Sequence, residues 1–373
     1  MKNVMGVIYT GERDSFLREL TLLRAIAAMP IAGRYRVIDF PVSSMVGSGI
    51  HNVGVIMQKN YHSLMDHLGS GKEWDLHGKN DGLYILPPFL TRENVGVYKG
   101  SLDALHSNMG YLRRSRQEYV LLVNSLIVFN ANFSDMFASY MDSGADVMMM
   151  YTKDPNMRRP EYGIYLDIDE KNDVVDIEID PTNPRYENTG MDVYLIRKDL
   201  LMDLVDRGAA HGYHELVRDI FQRMIRDAGM HVMGFEYKDI CFRMDSVQNY
   251  FKFNLATLDP VIRHKLFPED RPVYTKVRDE IPARYMDSAK VVNSMVADGC
   301  IVNGTIENCV LFRGVHVDKD ARLKNCIVMQ DGHIEEGVQL ENCILDKQAT
   351  IKRGGRLIGP SAYPIVISKN MVI

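Results

Sequence analysis

An amide and a hydroxyl, Asn124 and Ser125, follow directly on the apolar run at residues 119–123. Such a run, bounded by polar residues, reads as a buried strand. Ligands of an open α/β sheet bind outside the carboxyl ends of its strands. Transfer of phosphoryl or nucleotidyl groups at that place calls for a carboxylate to hold Mg²⁺. Asn124 and Ser125 give the position of such a site without its charge.

Other reactive side chains fall into patterns that suit structure better than chemistry. Five cysteines are present, an odd number with no C-x-x-C pair, which argues against both disulfides and zinc. Met148, Met149 and Met150 read as core filling in a buried strand. His316 and His333 stand at equivalent points of a repeat. A histidine on a repeat of this kind can serve as the general base of an acyl transfer. No long insertion interrupts the repeat to build a pocket around them, so they read as a surface row.

The elements that must carry these residues alternate. Strands are expected at 4–9, 53–57, 119–123 and 147–151, and helices at 16–23, 39–48, 61–68, 101–114 and 135–143, the last closed by Gly144. Alternation of this sort implies βαβ units and a mostly parallel sheet. Residues 69–94, polar and rich in Gly and Pro, are expected to form a loop near the cleft. Paired strands are expected at 163–167 and 174–179, and further helices at 199–207 and 213–228.

Towards the C-terminus the pattern changes. Ile306, Leu323 and Leu340 each begin the same short motif, and Val317, Ile334 and Ile351 recur at the same interval. The pieces are hexapeptide-like, the signature of a parallel β-helix whose coils bury one apolar row against the next. Cys309, Cys326 and Cys343 occupy one equivalent position, and Cys300 a similar context; small residues facing a narrow coil account for them.

The chain has 373 residues, 46% hydrophobic and 25% charged, with a net charge of -5. That is enough for two domains. The mild negative charge and the absence of a basic run argue against nucleic-acid binding. No apolar stretch has the length of a membrane span. Met1, Lys2 and Asn3 lead straight into a strand, so no signal peptide and a cytoplasmic location are expected.

Longer motifs carry a resemblance. Gly33 to Pro41 reads GRYRVIDFP, followed by Ser43, Ser44, Ser48, Gly49 and Ile50. Gln58, Ser63, Leu64, His67 and Leu68 come next, then Tyr98 to Ala104 (YKGSLDA), Val296 to Gly299 (VADG), Leu311 to Val315 (LFRGV) and Met329 to Asp331 (MQD). Together they resemble the bacterial glucose-1-phosphate adenylyltransferases (ADP-glucose pyrophosphorylases) over nearly the whole chain. The resemblance implies an α/β fold: a Rossmann-like nucleotidyltransferase sheet domain at 1–259, a linker at 260–284, and a left-handed parallel β-helix of hexapeptide repeats at 285–373. It also places Gln58, Tyr98, Gly100 and Asp103 near a nucleotide and glucose site, though each has an ordinary scaffold role as well.

The charged contacts of that family are altered. Its glycine-rich phosphate loop reads here as Gly11, Glu12 and Asp14, with Phe16 at the loop arginine and Ile26 at the phosphate-facing lysine. Carboxylates near phosphate oxygens repel them in a desolvated site. The first metal aspartate reads Ser125. The second aligns with Arg243, or in a shifted register with Asp245. The family's Glu-Lys-Pro reads Ile179, Asp180 and Pro181.

This joint loss resembles the D-type subunits of the family, which accompany a catalytic C-type chain. The resemblance implies a regulatory subunit with no metal or cofactor of its own, Mg²⁺ in the catalytic partner, and a hetero-tetramer. It further implies phosphorylated effectors, with Arg34 and Arg313 as candidate contacts. The rival expectation is a competent nucleotidyltransferase with displaced ligands such as Asp103 and Asp245.

Overall fold

The computed structural model describes residues 1–10, 14–78, 81–88, 97–227 and 229–373, and only the backbone of Asp14 and Ser15. Gly11 and Glu12, and parts of the loop expected at 69–94, lie outside the described residues. The chain forms two compact units.

The first unit is built on Phe40–Phe242, with the N-terminal strand and Glu269–Tyr274. Its nine-stranded sheet runs in the order Val174–Ile179, Ile164–Ile168, Asn188–Arg197, Tyr119–Asn124, Val4–Tyr9, Val53–Ile56, Leu83–Leu86. Val147–Thr152 also pairs with Asn188–Arg197 and carries Val232–Glu236 beside it. The four strands from Tyr119–Asn124 to Leu83–Leu86 are parallel. The expectation of a mostly parallel sheet needs correction: Asn188–Arg197 runs antiparallel to its neighbours on both sides. The central strands Val4–Tyr9 and Tyr119–Asn124 are apolar along their length because the sheet is covered on both faces, as parallel strands require.

Local chemistry sets the helix ends. Phe133–Ser143 is capped by the Asn132 side chain, which accepts from the Ser134 N–H, and closed by Gly144 in the left-handed region. The helix expected at 101–114 is two, Ser101–Ser107 and Met109–Arg114. Asn108 divides them; its side-chain amide donates back to the Ala104 carbonyl at 2.8 Å and competes with the helix ladder. The helix expected at 213–228 begins as one π-type turn, Leu216–Phe221, before Gln222–Asp227.

The second unit takes residues 14–39, Arg243–Pro268 and Thr275–Ile373. Its β-helix consists of three five-stranded parallel sheets. Ile306, Leu323 and Leu340 are stacked in register, as are Val317, Ile334 and Ile351. Asn308, Asn325 and Asn342 turn the corners at φ 52°, 49° and 51°; asparagine tolerates that left-handed conformation better than most residues. The four repeat cysteines are wholly buried free thiols. His316 and His333 are neighbours in register, as a surface row demands.

Two expectations change in this unit. The segment read as a linker opens with the helix Pro260–Leu266, started by the Asp259 side chain and by proline in its first turn. The helix expected at 16–23 is a 3₁₀ segment, Asp14–Thr21, kinked at Arg18, whose φ is 48°.

Candidate functional site

At the carboxyl ends of the parallel strands in the first unit, the pairing sets Tyr9 beside Asn124. The Ser125 N–H donates to the Tyr9 carbonyl at 3.2 Å, which fixes the turn out of the strand. The Gln58 amide hydrogen-bonds the Tyr9 hydroxyl. Thr10 turns its hydroxyl back to the Ile56 carbonyl at 3.1 Å. Tyr9, Thr10, Gln58, Asn124 and Ser125 are thus brought together by the sheet, and every one is uncharged. Ser125 is buried, and the Asn124 side-chain oxygen is taken by the Leu126 N–H at 3.1 Å.

The other residues singled out in this unit serve as scaffold. The Tyr98 hydroxyl accepts from Asn108 at 3.2 Å. Gly100 precedes the helix Ser101–Ser107, where a Cβ would lie 2.5 Å from the His214 carbonyl oxygen and 2.6 Å from a Glu215 carboxylate oxygen. Only glycine fits this approach. Glu215 accepts from the Ser101 hydroxyl at 3.0 Å, and burial pushes its carboxyl above the usual range. Asp103 accepts the Lys99 N–H at 2.9 Å. Asp180 receives the Arg218 guanidinium at 2.9 Å.

In the second unit Arg243 and Asp245 pair with each other. The Arg243 Nε donates to one Asp245 oxygen at 3.0 Å, and Asn249 donates to the other at 2.8 Å. Both side chains are buried. A guanidinium held on the carboxylate excludes a divalent cation from it. Among the described residues the donor sets do not fit Mg²⁺: a serine and an amide at the strand ends, and an arginine-capped aspartate elsewhere. Ile26 is fully buried core, and Phe16 is half-buried in the preceding 3₁₀ segment.

The same unit concentrates positive charge at a place the sequence did not advertise. Coil registers align Phe312, Met329 and Asp346 as one column and Arg313, Gln330 and Lys347 as the next, one residue beyond the stacked Leu311, Val328 and Leu345. Arg24 reaches Asp346 with two parallel hydrogen bonds of 2.8 and 2.9 Å, fully desolvated. Burial pushes the Lys347 ammonium down to about 7, helped by Arg36, Arg24 and Arg278, against the opposing pull of Asp346. Arg313 is 8% exposed, and its Nε has no hydrogen-bond partner among the described residues. Burial, Arg34 and Arg278 all push the Arg313 guanidinium downwards, while Asp298 and Glu280 act the other way. Arg278 thus acts on both cations of the second column. Of the two arginines singled out in the sequence, Arg313 lies in this array and Arg34 acts on it electrostatically while lying over the Tyr35 ring. Arg24, Arg36, Arg278 and Lys347 were missed. One signal for them existed: Asp346 is a charge in a column that is otherwise Phe312 and Met329.

Comparison with known proteins gives the family. Residues 5–240 match the nucleotidyl transferase family, and residues 281–361 match the GlmU-like C-terminal hexapeptide family. The chain is 34% identical to the glycogen biosynthesis protein GlgD of Bacillus subtilis (strain 168), over 99% of this chain and 96% of the relative. It is 35% identical to GlgD of Geobacillus stearothermophilus, over 85% and 82% of the two chains. The chain belongs to the GlgD branch of the glucose-1-phosphate adenylyltransferase family. A glucose-1-phosphate adenylyltransferase of Thermomicrobium roseum is 33% identical over 81% of this chain and 71% of its own. Family membership makes the sheet a nucleotidyltransferase scaffold and the coils a left-handed β-helix. Among the described residues no helix is long and apolar enough to cross a membrane.

Proposed function

We propose that this chain is the regulatory, largely non-catalytic subunit of a bacterial glucose-1-phosphate adenylyltransferase, acting in the cytoplasm in glycogen biosynthesis. The observation that carries this reading is the uncharged set Tyr9, Gln58, Asn124 and Ser125 at the ends of the parallel strands, in a chain whose Asp245 is already neutralised by Arg243. The complex would convert ATP and glucose 1-phosphate to ADP-glucose and pyrophosphate. Mg²⁺ and the in-line displacement at the α-phosphate belong to a catalytic partner in a hetero-tetramer. This chain binds no cofactor of its own for that step.

Its contribution is a coupling between effector binding and the partner's conformation. The array of Lys347, Arg24, Arg36, Arg278 and Arg313 supplies the charge for a phosphorylated metabolite. Burial and, after it, the neighbouring cations push the Lys347 ammonium downwards, and an anion relieves the repulsion among the cations. Co-expression with a catalytic GlgC-type chain tests the proposal. A mixed tetramer by mass, with effector response or turnover different from the partner alone, is expected. Unaltered partner kinetics in the mixed assembly would contradict it.

A further inference from the structure

Lys347 is a cation without a counter-ion of its own. Its backbone is held on both sides. The N–H donates to an Asp346 carboxylate oxygen at 2.6 Å, and the carbonyl accepts from the Asn370 N–H at 3.0 Å. The turn is therefore fixed, and the half-buried side chain leaves it from one place. Its Nζ makes no hydrogen bond or ion pair among the described residues. The neighbouring carboxylate, Asp346, is already taken by two hydrogen bonds from Arg24.

The groups that act on this amine are mostly cations. Arg36, Arg24 and Arg278 oppose its charge, and Asp346 favours it. Asp331, one coil away, feels Lys347, Arg278 and His316 together, against Glu280. In the column that Lys347 shares, Arg313 leaves a buried Nε without a partner among the described residues. A half-buried ammonium beside guanidiniums, with no carboxylate to itself, is unfavourable. The uncharged amine is favoured instead, and an uncharged lysine is a nucleophile. What the array lacks is an anion.

We propose that Lys347 is a carbamylation site, taking up carbon dioxide to form an anionic carbamate that a neighbouring guanidinium holds. The Nζ lone pair forms a bond to the carbon of CO₂. One C–O π pair moves onto oxygen, and the nitrogen releases a proton to solvent. Nothing is oxidised or reduced, and CO₂ is the one co-reactant. The product replaces a repelled cation with a planar anion, a shape that accepts the paired N–H groups of an arginine. Arg24 is committed to Asp346. Arg278, which acts on Lys347 and Arg313 alike, is the guanidinium placed to hold the carbamate. The carbamate uses the array of the regulatory reading but needs neither a phosphorylated ligand nor a partner chain, so the two fail separately.

The test is carbon-13 NMR of the purified full-length chain in phosphate-free buffer equilibrated with carbon-13 bicarbonate near neutral pH. A carbamate resonance distinct from those of bicarbonate and dissolved CO₂ is expected. Trapping with a trialkyloxonium reagent, followed by peptide mapping, is expected to place it on Lys347. Lys347→Arg keeps the charge but stays protonated, and it should remove the signal. Arg278→Gln should lower carbamate occupancy about tenfold, the effect of losing one nearby opposite charge. Circular dichroism confirms that each variant is folded; if Lys347→Arg misfolds, Lys347→Met decides in its place. A wild type with no carbamate signal would overturn the proposal. So would a signal of equal strength in the Lys347 variant, which belongs to the N-terminus or another amine, or trapping at a different lysine. Occupancy unchanged by Arg278→Gln would overturn the role given to that guanidinium.

Discussion

The strand ends of the first unit and the charged columns of the second are built from opposite materials. At the strand ends, neutral hydroxyls and amides satisfy one another: Gln58 holds Tyr9, and the Ser125 N–H holds the Tyr9 carbonyl. In the β-helix unit, cations crowd together and one of them, Arg313, leaves a buried Nε without a partner among the described residues. A fold can lose the charges that support catalysis and keep its strands, because strands rest on apolar burial. An array of buried like charges has no such support from packing. It costs stability unless something binds it.

Perturbation should separate the two regions, beginning with the largest effect. Asp346→Ala strands the buried Arg24 guanidinium without its bidentate partner and should cost about 3–5 kcal/mol, read by denaturant unfolding. Arg243→Ala should cost about the same, since it leaves the buried Asp245 carboxylate without its guanidinium. If Arg243→Ala proved neutral, its claim as a structural lock on Asp245 would fail. Gly100→Ala should cost about 1–3 kcal/mol by overpacking against His214 and Glu215.

Ligand and pH effects come next. Inorganic phosphate near saturation should raise the melting temperature by about 2–4 °C. Lys347→Met should abolish that shift, whereas Gln58→Ala should leave it intact. The sign with pH follows from Lys347, whose folded value of about 7 lies below the ordinary 10.5. Between those values the unfolded chain binds more protons, so this group makes the protein more stable as pH rises from about 7 towards 10. Below pH 7 both states are protonated and the full cost of burying the charge is present. An anion binds best to the protonated ammonium, so the phosphate shift should be larger at pH 6.5 than at pH 8.5. The smallest effect is expected from Cys326→Ala, about 1 kcal/mol, for a small apolar group lost from the coil interior.

Much of this architecture is legible in the chain. A 17-residue recurrence of Ile306, Leu323 and Leu340 can only stack, and the registers follow it. The buried strands announce themselves as apolar runs between turn residues. The helix break at Asn108 and the kink at Arg18 are not legible, because each is decided by a local hydrogen bond or a single positive φ that periodicity does not encode. The weakness of the strand-end site was visible at Ser125. The pairing of Arg243 with Asp245 was visible only as two residues competing for one role. Arg24 and Asp346 are far apart in sequence, and only the coil register reveals that Asp346 and Lys347 stand in columns with Met329 and Arg313.

The central claim is that the first unit lacks the charge to carry nucleotidyl transfer. Its most direct test is the rate of ADP-glucose formation by the purified chain alone, given ATP, glucose 1-phosphate and Mg²⁺, beside a catalytic relative under the same conditions. A rate lower by about 10³-fold or more is expected if the positions read as metal carboxylates, now Ser125 and the Arg243–Asp245 pair, hold no metal. Turnover comparable to the catalytic relative would contradict it.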